Sequence, residues 1–156
     1  MFESHGNDLI GSIPTEIGQL KALEGLALLE NKFVGPIPTK INNLSHLQAL
    51  YIDSFTRNSV GLSGPLPSFS GMPVLREIYL GSNSLTGVFP SDFLSGLDNY
   101  EETISVGLTS NRIEGVLPKS LSRFESMNIE ISDNLITSID GELCSMEKWK
   151  NGIKEE

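Results

Sequence analysis

One short pattern recurs along the whole chain, and it constrains the fold more than any other property. Residues 20–38 read LKALEGLALLENKFVGPIP, residues 75–90 read LREIYLGSNSLTGVFP, and residues 104–118 read ISVGLTSNRIEGVLP. Residues 47–67, LQALYIDSFTRNSVGLSGPLP, are a longer version. Residues 7–14, NDLIGSIP, hold the tail of a unit, and residues 128–141, NIEISDNLITSIDG, a decayed copy. Asn7 to Asn31 is 24 residues, Asn83 to Asn111 is 28 and Asn111 to Asn134 is 23. A unit that short cannot bury an apolar face alone, so a period in the twenties predicts coils stacked one on the next.

The letters of the unit have separate physical reasons. In Leu26/Leu28, Leu50/Ile52, Ile78/Leu80, Val106/Leu108 and Ile129/Ile131 the apolar residues alternate. Alternation predicts a short strand with one face in the core and the other in solvent. Asn31, Asn83, Asn111 and Asn134 follow where the chain turns inward, and an amide there satisfies backbone groups that would otherwise be buried unpaired. Phe33, Leu62, Leu85, Ile113 and Ile136 form a second apolar column. Gly35, Gly64, Gly87 and Gly115 permit a tight bend. Gly35, Pro36 and Pro38 predict the end of the strand, and Pro14, Pro38, Pro67, Pro90 and Pro118 the start of an outer segment. PTEIGQL and PTKINNLSHL read as short helices there.

The pattern L-x-x-L-x-L-x-x-N-x-L followed by G-x-I-P resembles the plant-type leucine-rich repeat. That subclass is typical of ectodomains of plant receptor-like kinases and receptor-like proteins, and of polygalacturonase-inhibiting proteins. The resemblance runs from Asn7 to about Cys144. It implies an α/β fold: a right-handed solenoid with a parallel concave sheet and short helices or 3-10 turns on the convex side. Residues 1–156 then form a single domain of about five to six repeats over 7–141, with a cap-like helix over 142–152 followed by a charged tail. Leu143, Met146 and Trp149 are the candidates to close that end of the core. At the other end the chain starts inside a repeat, without a capping unit.

The pattern breaks twice. Ile52 to Leu62 is ten residues where Leu28 to Phe33, Leu80 to Leu85 and Leu108 to Ile113 are five, and Val60 stands at the Asn position. The excess, DSFTRNSVG, predicts a bulge carrying Phe55 and Arg57, or a tolerated surface insertion. Pro90 to Val106 is sixteen residues against twelve from Pro14 to Leu26, and SDFLSGLDNYEET predicts a longer convex helix with its acids in water.

Composition and motifs narrow the chemistry. With 11 Lys and Arg against 20 Asp and Glu, the net charge of −9 leaves no basic patch for a nucleic acid. No apolar run is long enough to span a membrane, and MFESHGNDLIG lacks the basic and apolar regions of a signal peptide. His5 and His46 form no ligand cluster with Cys144, so no metal site is expected. No phosphate loop, kinase signature or nucleophile motif is present, so neither a cofactor nor catalysis is expected. Cys144 has no partner in the chain. It reads as a buried thiol, or, since cysteine pairs staple the caps of secreted members of the family, as half of a bridge to a cysteine outside this sequence. Asn43-Leu44-Ser45 is an N-glycosylation sequon on a convex segment.

Strand register assigns the outward face. The residues between the paired apolar positions are Ala27, Tyr51, Tyr79, Gly107 and Glu130, flanked among others by Asp53, Arg76, Glu77 and Ser82. Tyr51 and Tyr79, on adjacent strands about 4.8 Å apart, have with Arg76 the composition of an interface hot spot. They read equally as an aromatic pair that stabilises the sheet. Small neighbours at Ala27, Gly107 and Ser82 leave room for a peptide to lie close. The candidate ligand-binding residues are therefore Tyr51, Tyr79, Arg76, Asp53, Glu77 and Glu130. The expected function is non-catalytic recognition of a protein or peptide by a piece of a receptor-like or secreted protein. An inhibitor of a cell-wall hydrolase and a structural or adhesive array stay open as alternatives. The resemblance implies an extracellular or cell-surface location, while the start of the chain leaves a cytoplasmic one open.

Overall fold

The computed structural model describes residues 1–54, 61–98, 100–145 and 153–154, with the side chains of Cys144, Ile153 and Lys154 outside that description. Phe55, Arg57 and Val60 of the long third copy, and Met146 and Trp149 of the expected cap, also lie outside the described residues.

The alternating apolar pairs form a seven-stranded parallel sheet. Its strands, numbered in chain order, are β1 (Phe2–Glu3), β3 (Gly25–Ala27), β6 (Ala49–Tyr51), β8 (Glu77–Tyr79), β10 (Ile104–Gly107), β12 (Met127–Glu130) and β14 (Ile153–Lys154), adjacent in that order. Leu26 pairs with Leu50, Leu50 with Ile78, Ile78 with Val106, and Val106 with Ile129, without a shift of register. All five are buried, as are Leu28, Ile52, Leu80, Leu108 and Ile131. Each such side chain contributes roughly 1.5–3 kcal/mol by leaving water, and it does so only against the neighbouring coil. A one-residue slip would turn every one of them to solvent.

A second parallel sheet follows the Asn turns. It orders β13 (Leu135–Ile139), β11 (Arg112–Leu117), β9 (Ser84–Val88), β7 (Leu62–Pro65) and β5 (Gly35–Pro36), while β2 (Ile10–Gly11) pairs with β4 (Lys32–Phe33). This corrects the expectation that the chain leaves extended structure at Gly35. Pro36 is tolerated because β5 is the edge strand of its sheet, where a missing N–H breaks no ladder. Gly35, Gly64, Gly87 and Gly115 all take positive φ, between 78° and 94°, which is the bend their recurrence predicts.

The convex segments are 3-10 helices at Thr15–Gln19, Thr39–Asn43 and Lys119–Arg123, each entered from an extended proline, Pro14, Pro38 or Pro118. Among the described residues of SDFLSGLDNYEET the expected longer helix does not form: residues 91–96 are turns. Leu94 sits at φ +58 and donates its N–H to Ser68 O, which breaks any helical ladder. A β-carbon on Gly96 would meet Ser70 O at 1.8 Å, so the segment is pressed flat on the coil below. Phe93, Leu94 and Leu97 are buried by this contact, and Asp92, Asp98, Glu101 and Glu102 remain in water.

Both ends depart from expectation. The ladder already includes Phe2, ahead of Asn7, because β1 pairs with β3. Phe2 continues the Leu26 column and is 49% exposed. At the other end the described helix is Gly141–Ser145, and Leu143 is fully buried. Ile153–Lys154, read from sequence as part of a charged tail, instead pairs with Ile129 and Glu130. A short extended segment there satisfies the backbone groups that the last strand would leave open.

Candidate functional site

The turn between the two sheets is built on the asparagines. Asn111 donates through its amide to Leu80 O at 2.9 Å and Leu108 O at 3.0 Å, and its carbonyl accepts from the Leu85 N–H at 2.9 Å. Asn83 makes the equivalent set with Ile52 O, Leu80 O and the Leu62 N–H, and Asn134 with Leu108 O, Ile131 O and the Ile113 N–H. Asn31 donates to Leu28 O and accepts from the Leu9 N–H. Each amide therefore stitches its own coil to the preceding one. In every case the residue before the asparagine (Glu30, Ser82, Ser110 or Asp133) takes φ between 53° and 57°. Sequence reading passed over this, since none of the four is a glycine.

This stitching fixes the outward column of the main sheet, in which Glu3, Ala27, Tyr51, Tyr79, Gly107 and Glu130 follow one another in register. Tyr51 and Tyr79 are half-buried and stacked, with ring centroids 5.6 Å apart and planes 26° from parallel. The Tyr51 O–H donates to the Glu77 carboxylate, two positions back on the next strand. Burial, then this bond and the Glu77 charge, push the Tyr51 hydroxyl up to about 12. Among the described residues the Tyr79 hydroxyl has no hydrogen-bond partner.

The space beside the rings is smaller than expected. Ala27 is 6% exposed, and a β-carbon on Gly107 would lie 2.7 Å from Tyr79 Cδ1. The glycine thus accommodates the tyrosine ring and leaves no slot for a ligand at that strand. Arg76 is also engaged elsewhere: its Nε donates to Glu102 at 2.7 Å and its Nη1 to Leu75 O at 3.1 Å, with the side chain 15% exposed. No signal marked Glu102 as its partner, because the two are joined only through the turn of the following coil.

Asp53 accepts from the Gly81 N–H at the margin of the same face. Burial pushes its carboxyl up to about 6, against the opposing pull of that bond. Glu77 is exposed, and Glu130 is half-buried beside the backbone of Lys154. Asn43 lies apart, exposed at the end of the convex Thr39–Asn43 helix. Among the described residues no cluster of His, Cys, Asp and Glu could hold a metal ion, and no helix is long and apolar enough to cross a membrane.

Comparison with known proteins gives the same architecture. The Leucine Rich Repeat family model matches residues 74–95. Receptor-like protein 18 of Arabidopsis thaliana is 32% identical over 129 residues, which are 83% of this chain and 14% of that protein. Among solved structures, the plant peptide hormone receptor RGFR1 in complex with RGF2 superposes with a TM-score of 0.79 at 30% identity, covering 97% of this chain and 24% of that one. A plant ice-binding protein superposes with a TM-score of 0.72 at 30% identity, covering 86% of this chain and 42% of that one. The chain thus spans less than half the length of each of these relatives. Stacked coils, an asparagine at each turn and these similarities together identify the chain as a plant-type leucine-rich-repeat array, resembling the ectodomain repeats of receptor-like proteins and receptor kinases.

Proposed function

We propose that this array is a non-catalytic recognition module that binds a peptide or an extended protein segment across the outward face of the main sheet, in an extracellular or cell-surface setting. The observation that carries the reading is the stacked Tyr51–Tyr79 pair on that face, outside the core and held in place by its neighbours. Rigid, amphipathic aromatic rings supply contact area at low cost in side-chain entropy, which is why they dominate binding surfaces. Similarity to a peptide hormone receptor supports the same use of the scaffold, although one repeat architecture hosts unrelated functions.

Hydrogen–deuterium exchange tests the reading with peptides selected from a random phage-displayed library. Binding is expected to protect the backbone of β6 and β8. Protection confined to the convex turns at Thr15–Gln19 and Thr39–Asn43 would overturn it. An inhibitor of a cell-wall hydrolase would instead lower polygalacturonase activity in a reducing-sugar assay, and no such effect is expected.

A further inference from the structure

We infer that the Tyr51–Tyr79 shelf receives a cationic side chain, arginine or lysine, of the bound peptide, with the Glu77 carboxylate as its counter-charge. This rests on the recognition reading above and names the chemistry of its ligand.

The shelf is set before any ligand arrives. Tyr79 is seated against the bare backbone of Gly107, Tyr51 stacks on Tyr79, and the Tyr51 hydroxyl is tethered to Glu77. The Tyr51 face turned away from Tyr79 and the Glu77 carboxylate therefore stand together on adjacent strands, in fixed orientation. A cation over a tyrosine ring is attracted by the negative π face, and more so when a carboxylate completes the contact.

Three ligand chemistries can be compared on this surface. An apolar side chain laid on the rings would strip water from Glu77 without replacing it, which is costly for an ionised group. An acidic side chain would meet Glu77 and Asp53 at close range, with Glu3 and Glu130 further along the same column. Arg76, the base at the edge of this patch, already pairs with Glu102 and is mostly covered, so it offers an acidic ligand little compensation. A guanidinium or ammonium satisfies the rings and the carboxylate together. The net charge of −9 over the chain favours its approach as well.

The experiment begins with selection of peptides from a random phage-displayed library on the 156-residue chain. Calorimetry then compares selected peptides with versions in which arginine is replaced by citrulline. The expected result is a consensus containing Arg or Lys. Binding should weaken about tenfold on citrulline replacement and about fivefold with Glu77→Gln, while Tyr51→Phe with Tyr79→Phe keeps most of the affinity because the ring faces remain. A neutral or acidic consensus whose binding is lost in Tyr51→Ala with Tyr79→Ala would overturn the cationic inference and leave the recognition reading standing. Peptides indifferent to the tyrosine substitutions, or failure to select any peptide, would overturn both. Should the alanine pair fail to fold by circular dichroism, the Glu77→Gln and citrulline comparisons decide alone.

Discussion

Tyr79 occupies the volume that a side chain at Gly107 would need: a β-carbon there would come within 2.7 Å of Tyr79 Cδ1. The two residues pair in register on β8 and β10, so the glycine and the ring are one packing unit. Gly107→Ala is expected to push the ring off its seat, disturb the stack on Tyr51 and cost about 1–2 kcal/mol. The same substitution made in a Tyr79→Ala background should cost less, with a coupling of at least about 0.5 kcal/mol. Urea denaturation of the four proteins of this cycle measures it, and strict additivity would refute the packing account.

Asn111 holds two coils together with groups buried on all sides, its own exposure being 7%. Asn111→Ala leaves the Leu85 N–H without its side-chain acceptor and removes one of two amide donors from each of the Leu80 and Leu108 carbonyls, which keep Asn83 and Asn134. At about 1–3 kcal/mol for the one buried group left unpaired, a loss of about 2 kcal/mol is expected. Asn111→Asp should be nearly as damaging, because a carboxylate accepts but cannot donate to the two carbonyls. Asn134, more exposed near the end of the array, should tolerate alanine better. Equal losses at the two positions in equilibrium denaturation would contradict this.

Sequence reading succeeded where a residue's partner is its equivalent in the next coil. Leu26, Leu50 and Ile78 announce their column by period alone, because identical register is the only arrangement that buries all three. It failed where the partner breaks the repeat. Pro36 looked like the end of extended structure, since a proline in isolation does not reveal that its strand will lie at an edge. The turns over 91–96 were read as a helix because the close approach of Gly96 to Ser70 O joins segments with no shared pattern. Ile153–Lys154 is too short to show a period, and its pairing follows from the open edge of β12. In the candidate site, the adjacency of Tyr51 and Tyr79 was legible from register, whereas the Tyr51–Glu77 and Arg76–Glu102 pairings depend on side-chain directions that spacing does not specify.

Asn43 is exposed on the convex surface, two positions before Ser45, and its side chain supports no packing in the core. Expressed through a secretory pathway, the chain is expected to carry an N-linked glycan there. Intact-mass spectrometry should show the glycan mass lost in Asn43→Gln, with stability changed by less than about 0.5 kcal/mol, as for other exposed positions. An unmodified Asn43 in secreted material would refute the assignment. The position is also on the opposite side from the tyrosine shelf, so peptide affinity should be unchanged by the glycan.

Asp53 gives the fold a pH dependence whose sign follows from its surroundings. Burial raises its carboxyl from 3.8 to about 6, so the folded state holds the proton more tightly than the unfolded chain. Below about 3.8 the group is neutral in both states and imposes no penalty. Between 3.8 and about 6 the unfolded chain ionises first, and stability falls as pH rises; above about 6 the full penalty is present. Two pH units would correspond to ~3 kcal/mol without solvent screening, and for a partly exposed carboxylate about 1 kcal/mol is the better expectation. An asparagine in place of the aspartate keeps an acceptor for the Gly81 N–H and does not titrate. Asp53→Asn should therefore be about 1 kcal/mol more stable than the parent at pH 7 and indistinguishable from it near pH ~3.5. Urea denaturation at the two pH values checks this, and a parent chain that gains on the variant as pH rises would show that the charged carboxylate is stabilised in the fold instead.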